Sequence, residues 1–295
     1  MLNLIRHEQT TIATGGAADL AALLDPTNVP EINRGELAND LARVGSPESR
    51  IDYGGLASAA EAARIFTDAG WQDGADRARR EIPTLGLSDL APEASARKRR
   101  RAFAEDGDTL RVDAALAGNW DRAYETRQKR ASRMPVAVSV GCAFGGNANL
   151  SHAEMFWNGL QMAALCDLLE GAGWRAELRA LKANDFGRGR IHVQDWVVKQ
   201  ADQPLRLDTT LALFGHAGVY RTFGWAGNKA TEFKTPSNGG DVLTGEALAR
   251  AIRNVSSVIP PLSLILPQAY SRSAAITNLR AALRTVATLS HGVAA

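Results

Sequence analysis

The side chains whose type and spacing could do chemistry gather between residues 141 and 154. Gly141-Cys142-Ala143-Phe144-Gly145-Gly146-Asn147 is a glycine-rich stretch that runs through Asn149 and Ser151 into a helix. Free N–H groups and the positive end of a helix dipole attract anions. Gly145, Gly146, Asn147, Asn149 and Ser151 therefore form a candidate anion- or partner-binding loop. The spacing is neither Gly-x-Gly-x-x-Gly nor a P-loop, since no Gly-Lys-Ser/Thr follows, and a tight structural turn is the competing reading. His152-Ala153-Glu154 matches the first half of the zinc deaminase signature, but no Pro-Cys-x-x-Cys completes it. Glu154 is better used as the capping partner of Ser151, each satisfying the other's orphan backbone N–H. His7, His152, His192, His216 and His291 are scattered without metal-ligand spacing. Cys142 and Cys166 read as small core residues, and no serine lies in a Gly-x-Ser-x-Gly elbow. No catalytic residue, metal site or cofactor is expected. A site assembled from distant residues is the remaining enzymatic reading.

Charge supplies the second candidate site. Arg97-Lys98-Arg99-Arg100-Arg101 is one cationic block, and Arg127, Lys129, Arg130 and Arg133 form another. Residues 97–133 hold eleven basic and six acidic side chains, a net of +5, whereas the whole chain is only +2, so the remainder is −3. A chain that coats duplex nucleic acid by bulk charge is far more basic than this. A local patch is another matter, because Phe103, Trp120 and Tyr124 interleave with the cations as stacking surfaces do. Arg99, Arg100, Arg101, Arg127, Lys129 and Arg130 are the candidate contacts to single-stranded nucleic acid or to an acidic protein partner. A solvated connector is the bland alternative.

Behind these residues the chain changes character twice. Residues 1–95 are alanine-rich, and Leu56, Ala59, Ala60, Ala63 and Phe66 mark a helix over 56–69 that Gly70 stops. They read as a helical region or arm. Residues 96–133 are the basic connector, in which Asp106-Gly107-Asp108 is a turn that would join strands at 102–104 and 109–112. From residue 134 an α/β domain begins. A strand at 136–140 feeds the glycine-rich stretch and a helix over 153–170 that is apolar nearly all round, hence buried on more than one side. Residues 174–181 alternate, and a short turn at 185–190 leads to a strand at 191–199. So short a turn forces an antiparallel hairpin. Helices at 208–216, 245–254 and 273–289 and a strand at 262–266 complete the order β-α-β-β-α-(β)-α-β-α. The fold class is α/β, a three-layer Rossmann-like sandwich with an antiparallel hairpin at its edge.

That order, over about residues 134–290, resembles the von Willebrand factor A domain. The resemblance rests on topology and hydrophobic pattern. In that family the loop after the first strand carries Asp-x-Ser-x-Ser, which holds a divalent cation. Here Gly141 to Gly145 offer no oxygen side chain, so the resemblance implies a degenerate, metal-independent version. The chain is also similar to bacteriophage-encoded proteins of GC-rich hosts that carry such domains. The function this implies is a non-enzymatic binding or scaffold protein that takes a protein partner or joins a larger assembly. A nucleic-acid-binding accessory protein of replication or transcription is the alternative. No window is long and apolar enough to span a bilayer, and Arg6, His7 and Glu8 interrupt any leader. A cytoplasmic location, or a virion for a phage protein, and no membrane partner are expected.

Overall fold

Thr10 to Thr14 is a run of β-branched residues around Ala13, and this local preference builds a strand where a helical arm was expected. In the computed structural model β1 (Asn3–His7) and β2 (Thr10–Gly16) form an antiparallel hairpin. The structure describes residues 2–48, 52–91, 102–104, 109, 110, 112–119, 124–126, 137–144, 150–236 and 239–292. Four helices follow the hairpin: α1 (Ala17–Ala22), α2 (Glu31–Arg43), α3 (Ala59–Arg64) and α4 (Gln72–Glu81). The helix expected over 56–69 is α3 continued by a wide π turn through Ala69, and it ends at Gly70 with φ 68°.

The chain divides into two units, Met1–Pro92 with Ala137–Ala295, and Glu93–Val136. The smaller contains β3 (Ala102–Ala104), β4 (Thr109–Leu110), α5 (Val112–Leu116) and β5 (Tyr124–Thr126). Its first two strands do not pair with each other across Asp106-Gly107-Asp108, as the turn signal implied. Each pairs antiparallel with β5, which lies between them and satisfies both.

The larger unit continues through β6 (Ala137–Ala143), α6 (His152–Gly171), β7 (Arg175–Asp185), β8 (Ile191–Lys199), α7 (Leu207–Gly215), α8 (Ala217–Lys229), β9 (Asp241–Val242), α9 (Gly245–Asn254), β10 (Leu264–Leu266) and α10 (Arg272–Gly292). Its sheet has the order β1-β2-β8-β7-β6-β10, with β6 parallel to both β7 and β10. The β7–β8 hairpin is antiparallel as expected, but it is not an edge. Strand β2 runs parallel to β8 from Thr10↔Ile191 to Gly16↔Val197 and covers the backbone groups that an edge strand would leave open. The N-terminal residues are thus part of the same sheet as residues 137–295. Strand β7 outruns β6, and β9 takes the vacated place beside Asn184 and Asp185.

Helices flank this mixed sheet, as an α/β sandwich requires. Leu248, Ala251 and Ile252 of α9, with Val255 just after it, pack on Ile12, Leu181, Ala183 and Val193 on one face. On the other face lie α6 and α8, with α4 and α7 packed against α6 through Ala75, Ala78, Phe156, Leu160 and Leu211. Burial of α6 on several sides follows from its scarcity of polar residues. Helix α8 was not foreseen, because its glycines resemble loop residues. They are small for contact: a Cβ on Gly218 would lie 2.0 Å from the Tyr53 carbonyl, and one on Gly227 1.9 Å from Gln194 Oε1. The sheet surface beneath α8 is polar. His192 is hydrogen-bonded to Thr11 and to the Gly227 carbonyl, and Gln194 donates to Asn228. The Lys182 ammonium position is buried there and donates to the Gly224 carbonyl at 3.0 Å.

Candidate functional site

Strand order reverses at β6, which leads to β7 on one side and receives β10 on the other. In open α/β sheets the crevice beyond the C-terminal ends of two such strands is where ligands bind. Phe144 leaves β6 and donates its N–H to the Leu181 carbonyl, and the residues after β10, Pro267 to Ser271, form the opposite rim. Tyr220 of α8 lies between them. Its ring meets Phe144 edge-on at 5.1 Å, and its phenol oxygen accepts from Gln268 Nε2 at 3.0 Å. Tyr270 is hydrogen-bonded to the same Tyr220 phenol, and burial pushes its own phenol above the ordinary tyrosine range.

An amide web holds the rim. Asn158 Oδ1 accepts from Gln161 Nε2 at 3.1 Å and from the Ala269 N–H at 3.3 Å. The Pro267 carbonyl accepts from Gln161 at 2.6 Å and from Asn278 at 3.0 Å. Helices α6 and α10 thereby pin the loop after β10. Arg221 of α8 pins the other side, donating to the carbonyls of Asp52 and of Leu150. Among the described residues, these polar groups of the rim are spent on one another.

Of the loop residues singled out in the sequence, Gly145, Gly146, Asn147 and Asn149 lie outside the described residues. Gly141 is inside β6, so the strand runs further into the glycine-rich stretch than the expected end at residue 140. Ser151 is the N-cap of α6 and forms the expected capping box. Glu154 N–H reaches Ser151 Oγ at 3.3 Å, while Ser151 donates its N–H and hydroxyl to Glu154 Oε2 at 2.9 and 2.6 Å. A carboxylate therefore occupies the position an anion would take, which disfavours an anion at this helix end. The cationic candidates Arg99, Arg100, Arg101, Arg127, Lys129 and Arg130 also lie outside the described residues.

The two cysteines and the paired histidines are held in quiet states. Burial pushes the Cys142 thiol up to about 12, against a weaker opposing contact with Asn158. Cys166 is likewise pushed up to about 12, chiefly by burial and then by Glu170. Both are buried free cysteines. His216 caps α8, its Nδ1 accepting from the Gly218 and Val219 N–H groups at 3.2 and 3.4 Å, and burial lowers it to about 4. His152 of α6 stands 5.1 Å from it, ring to ring, and is also lowered by burial. Among the described residues no group of three or more His, Cys, Asp or Glu could hold a metal ion. No helix of the described residues is long and apolar enough to cross a membrane.

Ser151 and its capping partner Glu154 are legible in the sequence, whereas Tyr220, Arg221, Gln268, Tyr270 and His216 carry no local signal for the site. Tyr220 and Arg221 lie on the unforeseen α8, and Gln268 and Tyr270 follow a three-residue strand whose neighbour is more than a hundred residues away. A profile of the family described as "Domain of unknown function (DUF7192)" matches residues 22–257. The match leaves out β1, β2, β10 and α10. No curated protein and no solved structure matches the chain.

Proposed function

This chain belongs to the DUF7192 family, and we propose that it is a non-enzymatic binding or scaffold protein that presents the crevice between β6 and β10 to a protein partner. The observation that supports this reading is the self-satisfied rim. Ser151 is bound to Glu154, Gln268 to Tyr220, and the loop after β10 to Asn158, Gln161 and Asn278. Such groups are poor at moving protons or attacking a substrate, yet they hold a fixed shape. Prepaid rigidity lowers the entropy cost of docking.

The order β8-β7-β6-β10, with β8 antiparallel, supports a von Willebrand A-like reading of the larger unit. The cation of that family does not fit here. Gly141, Cys142, Ala143 and Phe144 bring no side-chain oxygen to the end of β6, and the Cys142 thiol is held protonated. Hard cations need several oxygen ligands. The reading is therefore of recognition by shape and hydrogen bonding, independent of metal.

A pull-down from the native host with nuclease present tests it. A protein retained by the wild type and lost with Gln268→Arg, at unchanged stability, is the expected result. Retention that vanishes on nuclease treatment favours the nucleic-acid alternative through residues 97–133. Turnover of a substrate that disappears in Ser151→Ala or Tyr270→Phe refutes the non-enzymatic reading.

A further inference from the structure

His216 occupies the single residue between α7 and α8, and what it touches makes it unable to accept a proton without cost. Its Nδ1 is the acceptor for two backbone N–H groups of α8. The proton of the neutral ring therefore sits on Nε2. An imidazolium would point a third donor at those two N–H groups and place a cation on the positive end of a helix. Its neighbours add to the conflict. The ring of Trp71, ahead of α4, meets His216 edge-on at 5.0 Å, and His152 of α6 does so at 5.1 Å.

His152 in turn is seated on the 52–55 loop. It is hydrogen-bonded to the Gly54 backbone, and a Cβ on Gly54 would fall 1.8 Å from its Nε2. Arg221, one turn into α8, ties this loop and the residue before Ser151 to the same place through the Asp52 and Leu150 carbonyls. Arg221 is the charged group that acts on His152, and His152 in turn acts on His216. Asp52 and Tyr53 of the loop and Tyr220 of α8 act on Arg221.

We propose that His152 and His216 form an acid-operated latch. Protonation uncaps the first turn of α8 and releases residues 52–55 and 150–151 together, loosening one rim of the crevice while the sheet and α6 stay folded. The inference stands apart from the binding reading, because its readout is backbone protection and needs no partner. Desolvation acts on both rings in the direction the latch requires, lowering His216 to about 4 and His152 below its ordinary value. Opening restores a histidine to the ordinary 6.5. Linkage over that interval for His216 alone moves the closed–open equilibrium about 30-fold toward open between pH 8 and pH 5.

Amide hydrogen exchange of the full chain, followed by NMR, tests the latch. Protection factors at Gly218 and Val219 should fall about 30-fold from pH 8 to pH 5, with protection at Leu165 inside α6 retained. In His216→Asn, which caps with a side-chain oxygen that does not titrate, they should change less than about 3-fold. Constant protection at Gly218 in the wild type overturns the proposal. So does an equal loss in His216→Asn, or a parallel loss at Leu165 that marks global unfolding. Should His216→Asn fail to fold, His152→Gln decides. Removing the neighbouring charge should move the His216 ring titration to higher pH, and an unmoved midpoint refutes the coupling.

Discussion

Lys182→Met should stabilise the protein at neutral pH, although it removes a hydrogen bond. The Lys182 side chain lies beneath α8 on the polar face of the sheet, with the Gly224 carbonyl as its acceptor at 3.0 Å. Burial lowers it from the ordinary 10.5 to about 7. The unfolded chain then binds more protons than the folded one between pH 7 and 10.5. Stability contributed by this site therefore rises with pH across that window and is flat below it. At pH 7 the mismatch costs about 4 kcal/mol, of which about 2 kcal/mol is recovered by pH 9. Methionine fills most of the same volume with no charge to desolvate, so a net gain of about 1–3 kcal/mol at pH 7 is expected after the lost bond is subtracted. The window is clean to about pH 8. Above it the raised Cys142 and Cys166 thiols and the Tyr270 phenol act with the opposite sign, and His192 and His216, both lowered to about 4, act below 6.5. Urea denaturation at pH 7, 8 and 9 measures the effect. The wild type should gain stability over this range and Lys182→Met should not. A variant weaker than wild type at pH 7, with the wild-type slope intact, would refute the reasoning.

Other perturbations probe other parts of the fold. Arg179 and Asp195 are a buried pair, Arg179 also donating to the Pro260 carbonyl, so Asp195→Leu alone should cost about 3–5 kcal/mol while Arg179→Met with Asp195→Leu recovers most of it in a denaturation cycle. Gly218→Ala would drive a methyl into the Tyr53 carbonyl and the Leu56 side chain, and should lower stability by about 1–3 kcal/mol, seen as a fall in Tm. Ser151→Ala removes the cap of α6 and should cost about 1 kcal/mol by the same assay. Neither thiol should react with a disulfide reagent at pH 8 until denaturant is added, since both are buried and protonated; prompt labelling of the native protein would contradict their placement.

Features whose causes are local could be read directly from the chain. The Ser151–Glu154 capping box, the apolar α6, the β7–β8 hairpin with its short turn, and the amphipathic α9 each depend on residues within a few turns of one another. Their boundaries came within a few residues of the structure except where a strand continued, as β7 does to Asp185. The loop after β6 was legible as a candidate binding place, since it lies where the first strand of an α/β order ends, but the crevice beside β10 and its lining were not.

What only the tertiary structure decided involves partners distant in sequence. Thr11 meets His192, and β2 covers β8, because an otherwise open strand edge must be satisfied from somewhere; nothing near Thr11 names that partner. Helix α8 looks like loop until the Tyr53 carbonyl and Gln194 are brought against Gly218 and Gly227, at which point the absence of a side chain becomes the condition for packing. Lys182 and His216 look like ordinary surface-capable residues in the sequence. Their lowered proton affinity arises when sheet, helix and loop exclude water from them together, and exclusion of water is a property of the assembled layers. The sequence by itself determined helices α3, α6, α7, α9 and α10, the hairpin and the α/β class through periodicity, caps and turns. The packed layers decided which polar groups face one another, and hence where the candidate site lies and what it can do.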